Sequence, residues 1–189
     1  NDLKKKVTSK TKAIVWIHVT GVISYEYKKI VKFAKDNNLY LIEDCAHAHG
    51  SSIDNIQAGN IGDVGCFSFY PSKVMTTGTG GMLVTDDEKL AEYTMQMRLL
   101  GRNTKGSGVV LEGNDWFMDE IRACIGYYQL LDLNKHIKKR GLIANTYDKA
   151  FINKKAITLI QTPKGSINSY YQYTIILNKK INRDQLILK

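Results

Sequence analysis

Gly62-Asp63-Val64-Gly65-Cys66-Phe67-Ser68-Phe69-Tyr70-Pro71-Ser72-Lys73 is the stretch on which the fold turns. Val64 to Tyr70 reads as a strand, and Pro71 stops it because proline has no N–H to give to a sheet. Ser68 sits near the end of that strand, and Lys73 lies on the loop just after it. In open α/β sheets, ligands bind outside the carboxyl ends of the strands, so a hydroxyl and an amine placed there are candidates for chemistry.

Working upstream, Ala13 to His18 is a continuous apolar run, as expected of a buried parallel strand. Gly21 breaks it. Tyr27, Ile30, Val31 and Ala34 recur at helical spacing and predict an amphipathic helix over 26–37, ended by Asn37-Asn38. Leu39 to Glu43 is the next short strand. Strand, helix and strand make a βαβ crossover, the mark of an α/β sheet. Residues 51–63 read as a loop.

Working downstream, Gly80 to Thr85 predicts another short strand, and Thr85-Asp86-Asp87-Glu88 fits a capping box opening a helix that carries Leu90, Tyr93, Met97 and Leu100. Residues 102–114 read as a mobile loop. Ile121, Cys124, Ile125, Tyr128 and Leu131 mark one helix, with Asp119 near its start. Ile137, Ala144, Tyr147 and Phe151 mark a further one. After Lys155 the texture changes: Ile157 to Ile160 and Tyr170 to Leu177 read as strands either side of a Pro163-Lys164-Gly165 turn, and Asn182 to Lys189 starts a helix. This predicts a large domain over 1–155 and the start of a smaller one over 156–189.

Composition narrows the classes. The chain has 189 residues, 43% of them hydrophobic, enough for a real core. The net charge of +9 comes from 27 basic and 18 acidic residues. Lysines are spread along the chain, and the clusters Lys4-Lys5-Lys6 and Lys138-Lys139-Arg140 lack interleaved aromatics, so no nucleic-acid partner is expected. A basic surface favours an anionic substrate. No apolar run approaches a membrane span and no signal peptide is visible, so no membrane partner is expected. Cys45, Cys66 and Cys124 are widely spaced without a CxxC pair, which suits buried thiols in a reducing, cytoplasmic setting. The chain begins with Asn1 rather than Met and reads as an interior piece of a longer protein.

The candidate chemistry lies in four residues. Lys73 is an amine able to attack an aldehyde and then act as a general acid and base at the same centre. Asp44 ends a buried strand, where a carboxylate needs a cationic partner or solvent. His47 follows three residues later and faces the same ligand if a turn follows the strand. Ser68 offers a hydroxyl for a phosphate. An amine, a carboxylate for a pyridine nitrogen and a hydroxyl for a phosphate are what pyridoxal 5'-phosphate requires. His18 and His49 read as satisfied, partly buried histidines. The histidines form no ligand set with carboxylates, so no metal is expected. Gly78-Thr79-Gly80-Gly81 precedes a strand and is no dinucleotide fingerprint.

Three stretches together resemble the DegT/DnrJ group of sugar-nucleotide aminotransferases. They are Leu41-Ile42-Glu43-Asp44-Cys45-Ala46-His47-Ala48-His49-Gly50; Gly62 to Lys73 continuing through Thr76-Thr77-Gly78-Thr79-Gly80-Gly81-Met82; and Met118-Asp119-Glu120-Ile121-Arg122-Ala123 with Gly126 and Gln129-Leu130. The resemblance implies the type I fold of pyridoxal-phosphate transferases: a mixed, mostly parallel sheet flanked by helices, then a smaller α+β domain. It implies that Lys73 forms the Schiff base, Asp44 pairs with the pyridine nitrogen, His47 lies beside the ring and Ser68 binds the phosphate. It further implies transfer of an amino group, typically from glutamate, to a keto group of a nucleotide-linked deoxysugar, by a homodimer. The family's phosphate-binding turn and ring-stacking aromatic should precede Asn1. Thr79 stands where the family often has Glu, Trp16 near a usual Pro, Phe117 where Arg is common, and Asp115, beside Asn114, where an Asn reaches the partner's phosphate. Alternatives are the related sugar dehydratase, which has histidine where Lys73 stands, a non-catalytic regulatory member, and a basic nucleic-acid-binding domain.

Overall fold

The computed structural model describes residues 2–188 of the chain. A short helix α1 (Asp2–Lys6) precedes strand β1 (Ala13–Ile17). β1 pairs in parallel with β2 (Tyr40–Asp44), Ile17 lying opposite Asp44, and helix α2 (Tyr27–Asp36) makes the crossover between them. β2 pairs in parallel with β5 (Val64–Ser68), and β5 pairs antiparallel with β6 (Gly81–Val84). The sheet order is β1-β2-β5-β6, the mixed, mostly parallel sheet expected.

The alternation of β1 decides which face α2 covers. Ile14 is buried with Ala34, Leu39 and Leu41, and Ile30, Val31 and Phe33 of α2 pack against that cluster. Val15 and Ile17 point the other way and stay exposed. Tyr27 reaches a second cluster with Ile23, Cys45, Ala48, Ile53 and Ala58.

Residues 51–63 are more ordered than a loop. β3 (Ser52–Ile53) and β4 (Ile56–Gln57) form a hairpin. Its two turn residues, Asp54 and Asn55, have φ of 49° and 65°, the left-handed pair that a two-residue hairpin needs. β8 (Ser166–Ile167) adds to the far side of β3, while β7 (Ile157–Leu159) and β9 (Ile175–Leu177) pair with each other. The strand expected over Tyr170–Leu177 is therefore cut to its last three residues, because the chain before it turns inward and buries Asn168 and Ser169.

Helix α3 (Glu88–Arg98) starts two residues later than the capping box implies. Asp87 is the cap, accepting from the N–H groups of Lys89 and Leu90, and Thr85 Oγ1 accepts from Asp87 N–H instead. A carboxylate also suits the positive end of the helix dipole. The two helices expected beyond residue 119 are one, α4 (Glu120–Phe151), capped by Asp119. No proline interrupts it, and Gly141 faces open space. Its inward face is Gly126, Leu133, Ile137 and Ala144; Ile121, Ile125, Tyr128 and Leu131, and the thiol of Cys124, are exposed rather than buried. α5 (Arg183–Ile187) closes the described chain, and Lys189, the last residue of the helix expected there, lies outside it.

Candidate active site

The carboxyl ends of β2 and β5 bring the four candidate residues to one edge. Asp44 is the last residue of β2, and its Oδ1 accepts from Ala46 N–H at 3.0 Å; its Oδ2 has no partner among the described residues. Ser68 ends β5, and its Oγ accepts from Tyr70 N–H at 3.4 Å, which leaves the hydroxyl hydrogen free to donate. Lys73 lies on the turn closed by its own N–H donating to the Tyr70 carbonyl at 3.0 Å. Among the described residues, Lys73 forms no ion pair. His47 sits on the turn after β2. Burial first, and then the Lys73 charge, lower its imidazole below the ordinary range, while Asp44 pulls the other way. His47 therefore lies within electrostatic reach of both the amine and the carboxylate.

The Lys73 turn is fixed from below. Phe69, Val74 and Met75 bury themselves against Leu133 and Ile137 of α4. Phe69 N–H donates to the Gly80 carbonyl, and the Phe69 carbonyl accepts from Thr77 N–H and Thr76 Oγ1. A Cβ at Gly126 would come within 2.9 Å of Thr77 Cγ2, so the glycine lets α4 approach the loop closely.

Tyr171 was not among the residues singled out from the sequence. Its ring stacks on His47 with centroids 4.2 Å apart and planes 20° apart, and Lys73 Nζ lies 4.8 Å from the same ring. Its hydroxyl and Ser72 Oγ are 3.0 Å apart. Arg140 of α4 donates to the carbonyls of Tyr170 and Tyr171. No local signal could find Tyr171: it lies about a hundred positions from Lys73 in a stretch that reads as a strand.

On the other side of β2, Glu43 is fully buried. Its Oε1 accepts from Ile61 and Gly62 N–H at 2.7 Å each, and its Oε2 accepts from Gly59 N–H at 3.0 Å and bonds His18 Nε2 at 2.7 Å. Burial pushes its carboxyl up, but His18 and the three N–H groups outweigh this and leave it below the usual value. The donor atoms of His18, Glu43 and Cys45 lie within 4.8 Å of one another, which gives a metal's donor types. Glu43's oxygens are already engaged by four donors, and burial drives the Cys45 thiol far upward, so the cluster acts as a clamp on the 59–62 loop. His18 is satisfied at Nε2 alone, its Nδ1 having no partner among the described residues. His49, expected to be satisfied, has no well-formed hydrogen bond at either ring nitrogen among the described residues, and the Ser68 carbonyl only partly offsets its burial. It lies between the rings of Phe67 and Phe69, and burial lowers it to about 4.

Among the departures, Trp16 packs edge-on against His18 in the core, with centroids 4.5 Å apart. Phe117 is exposed beneath the Arg98 guanidinium, and Asn114 and Asp115 pair by backbone with Met97 and Leu99.

A sequence profile of the DegT/DnrJ/EryC1/StrS aminotransferase family matches residues 1–189. The chain belongs to that family. Among this aminotransferase-family chain's curated relatives is the GDP-perosamine synthase of Escherichia coli O157:H7, 34% identical over 197 residues, spanning 98% of this chain and 50% of that protein. Among solved structures, the aminotransferase TlmJ from Streptoalloteichus hindustanus superposes with a TM-score of 0.90 at 30% identity, over 97% of this chain and 50% of TlmJ. Helicobacter pylori PseC, an aminotransferase involved in the biosynthesis of pseudoaminic acid, also gives 0.90 at 30% identity, over 98% of this chain and 51% of PseC. The family member described here thus spans about half the length of the relatives it matches. Its fold is of the pyridoxal-phosphate transferase type.

Proposed function

We propose that the protein transfers an amino group, with glutamate as donor, to a keto group of a nucleotide-linked deoxysugar, through a Schiff base between Lys73 and pyridoxal 5'-phosphate. One observation carries this reading. An unpaired amine, a carboxylate with one free oxygen, a buried-side imidazole and a hydroxyl free to donate share the edge formed by β2 and β5. The names of the relatives support a nucleotide sugar as acceptor.

The donor set fits the coenzyme. Asp44 Oδ2, unpartnered among the described residues, suits a protonated pyridine nitrogen. Ser68 Oγ suits a phosphate oxygen, and His47, which feels the charges of both Asp44 and Lys73, suits the border of the ring. When bound, the coenzyme supplies an electron sink for the reacting carbon. The protein's own contribution is to hold charge and move protons. Asp44 keeps a positive partner charged, and Lys73 Nζ takes and returns a proton at the reacting centre. Tyr171 and the 168–171 segment screen that centre from one side.

The remaining expectations stay part of this proposal: a homodimer, a cytoplasmic location, and a small domain beginning near residue 156 with β7 and β9. Among the described residues, no helix is long and apolar enough to cross a membrane.

The test is spectroscopic. The full-length protein to which this chain belongs, purified with pyridoxal 5'-phosphate and freed of excess, should show a yellow band, and borohydride should fix the coenzyme on Lys73; the 189-residue piece alone should bind the coenzyme poorly. Lys73→Ala should remove the band and lower turnover with a keto-sugar and glutamate by about 10²–10⁴-fold or more. A band that survives Lys73→Ala sinks the proposal.

A further inference from the structure

Thr20 holds a backbone conformation that a β-branched residue rarely takes, with φ 62° and ψ 2°. Such a residue persists only where its surroundings determine it from several sides. Its N–H donates to His47 Nδ1 at 3.3 Å, and its carbonyl accepts from Tyr171 N–H at 3.1 Å. The neighbouring Gly21 also has positive φ, and its carbonyl accepts from Ser51 Oγ at 2.7 Å. A Cβ at Gly21 would stand 2.2 Å from Ser169 Oγ, so only glycine admits Ser169 here. Ser169 in turn donates its N–H to Ser51 Oγ and its hydroxyl to the His47 carbonyl. Segments 18–21, 47–51 and 168–171 are thus sewn together around His47, and Tyr171 stacks on its ring.

A neutral imidazole carries one proton, and the partner of one nitrogen decides where it sits. An N–H donor aimed at Nδ1 requires that nitrogen to be bare. A proton on Nδ1 would set two N–H groups against each other. Nε2, which takes no partner among the described residues, then carries the proton.

We propose that Thr20 and Tyr171 are positioning residues that keep His47 a neutral hydrogen-bond donor at Nε2, the Thr20 N–H setting the tautomer and the Tyr171 ring and backbone holding Thr20 and the imidazole in place. The proposal rests on the Asp44–Lys73 edge being the place of reaction. It adds the state in which His47 borders that edge: neutral, with its proton on Nε2.

The experiment is NMR of the full chain, freed of coenzyme and labelled with ¹⁵N at histidine and threonine. At neutral pH, His47 should be protonated at Nε2, with a coupling through the hydrogen bond from Thr20 N–H to Nδ1. Tyr171→Phe keeps the ring and the backbone bond and should leave both signals in place. Tyr171→Ala should lose the coupling and speed exchange of the Thr20 amide by about tenfold, the factor for one ordinary hydrogen bond. If Tyr171→Ala does not fold, Tyr171→Leu decides the same point. A proton on Nδ1 in the unmutated protein, or Thr20 signals untouched by both Tyr171→Ala and Tyr171→Leu, overturns the proposal. Those spectra need no coenzyme, so their failure leaves the reading of Lys73 standing, whereas a yellow band surviving Lys73→Ala removes that reading and leaves the tautomer measurement intact.

Discussion

Glu43 and Asp44 are adjacent carboxylates on one strand, yet they live in opposite electrostatic worlds. Successive residues of a strand point to opposite faces. Glu43 goes into the core, where three backbone N–H groups and His18 consume its oxygens. Asp44 goes to the open edge and keeps one oxygen without a partner. The pair of histidines repeats the contrast: His18 is locked to Glu43, whereas His47 Nε2 has no partner among the described residues and its ring feels the Lys73 charge. Residue type does not separate structure from function here. What separates them is whether the polar atoms are already satisfied.

The sharpest way to break the contrast is to remove each carboxylate in turn. Glu43→Ala strands three buried N–H groups and a buried imidazole, and should lower the unfolding free energy by about 3–5 kcal/mol. Asp44→Ala removes a single N–H contact and should cost about 1 kcal/mol, while weakening coenzyme affinity. Chemical denaturation and a coenzyme titration on both variants check this. Equal losses of stability would erase the distinction.

His49 gives a pH test. Its imidazole resists protonation in the folded state, because burial outweighs the Ser68 carbonyl, with a value lowered from 6.5 to about 4. The unfolded chain therefore binds the proton first as pH falls. Stability is full above about 6.5, declines between that and about 4, and the total loss is about 3 kcal/mol. His49→Phe should flatten that part of the profile in a denaturation series from pH 7 to 4. An unchanged profile would show that another group sets it.

The smallest effect is a control far from both sites. Asp87→Ala deletes the α3 cap and should cost about 1 kcal/mol, visible as a small drop in melting temperature with coenzyme binding unaltered.

The βαβ unit and the strand leading to Lys73 were legible because apolar runs, helical spacing and Pro71 are local signals. The hairpin over Ser52–Gln57 was also legible in principle, since Asp54-Asn55 between isoleucines tolerates the left-handed turn. The break expected inside α4 failed for a physical reason. Periodicity shows where apolar residues recur, but not whether the stretch Asp132 to His136, polar except for Leu133, continues the helix, and nothing in it prevents this. The exposed Ile121, Ile125, Tyr128 and Leu131 show the same limit, because an apolar stripe says which side wants cover and not what covers it.

Taken alone, the order of residues determined that a hydroxyl, an amine and a carboxylate fall at strand ends, because strand ends are set by neighbours a few positions away. Only the tertiary structure decided that Glu43 is spent inside while Asp44 stays available, and that Thr20 and Tyr171, about 150 positions apart, meet at His47. Hydrogen bonds and ring contacts between distant segments leave no periodic trace in the chain; they exist once packing has brought those segments within reach.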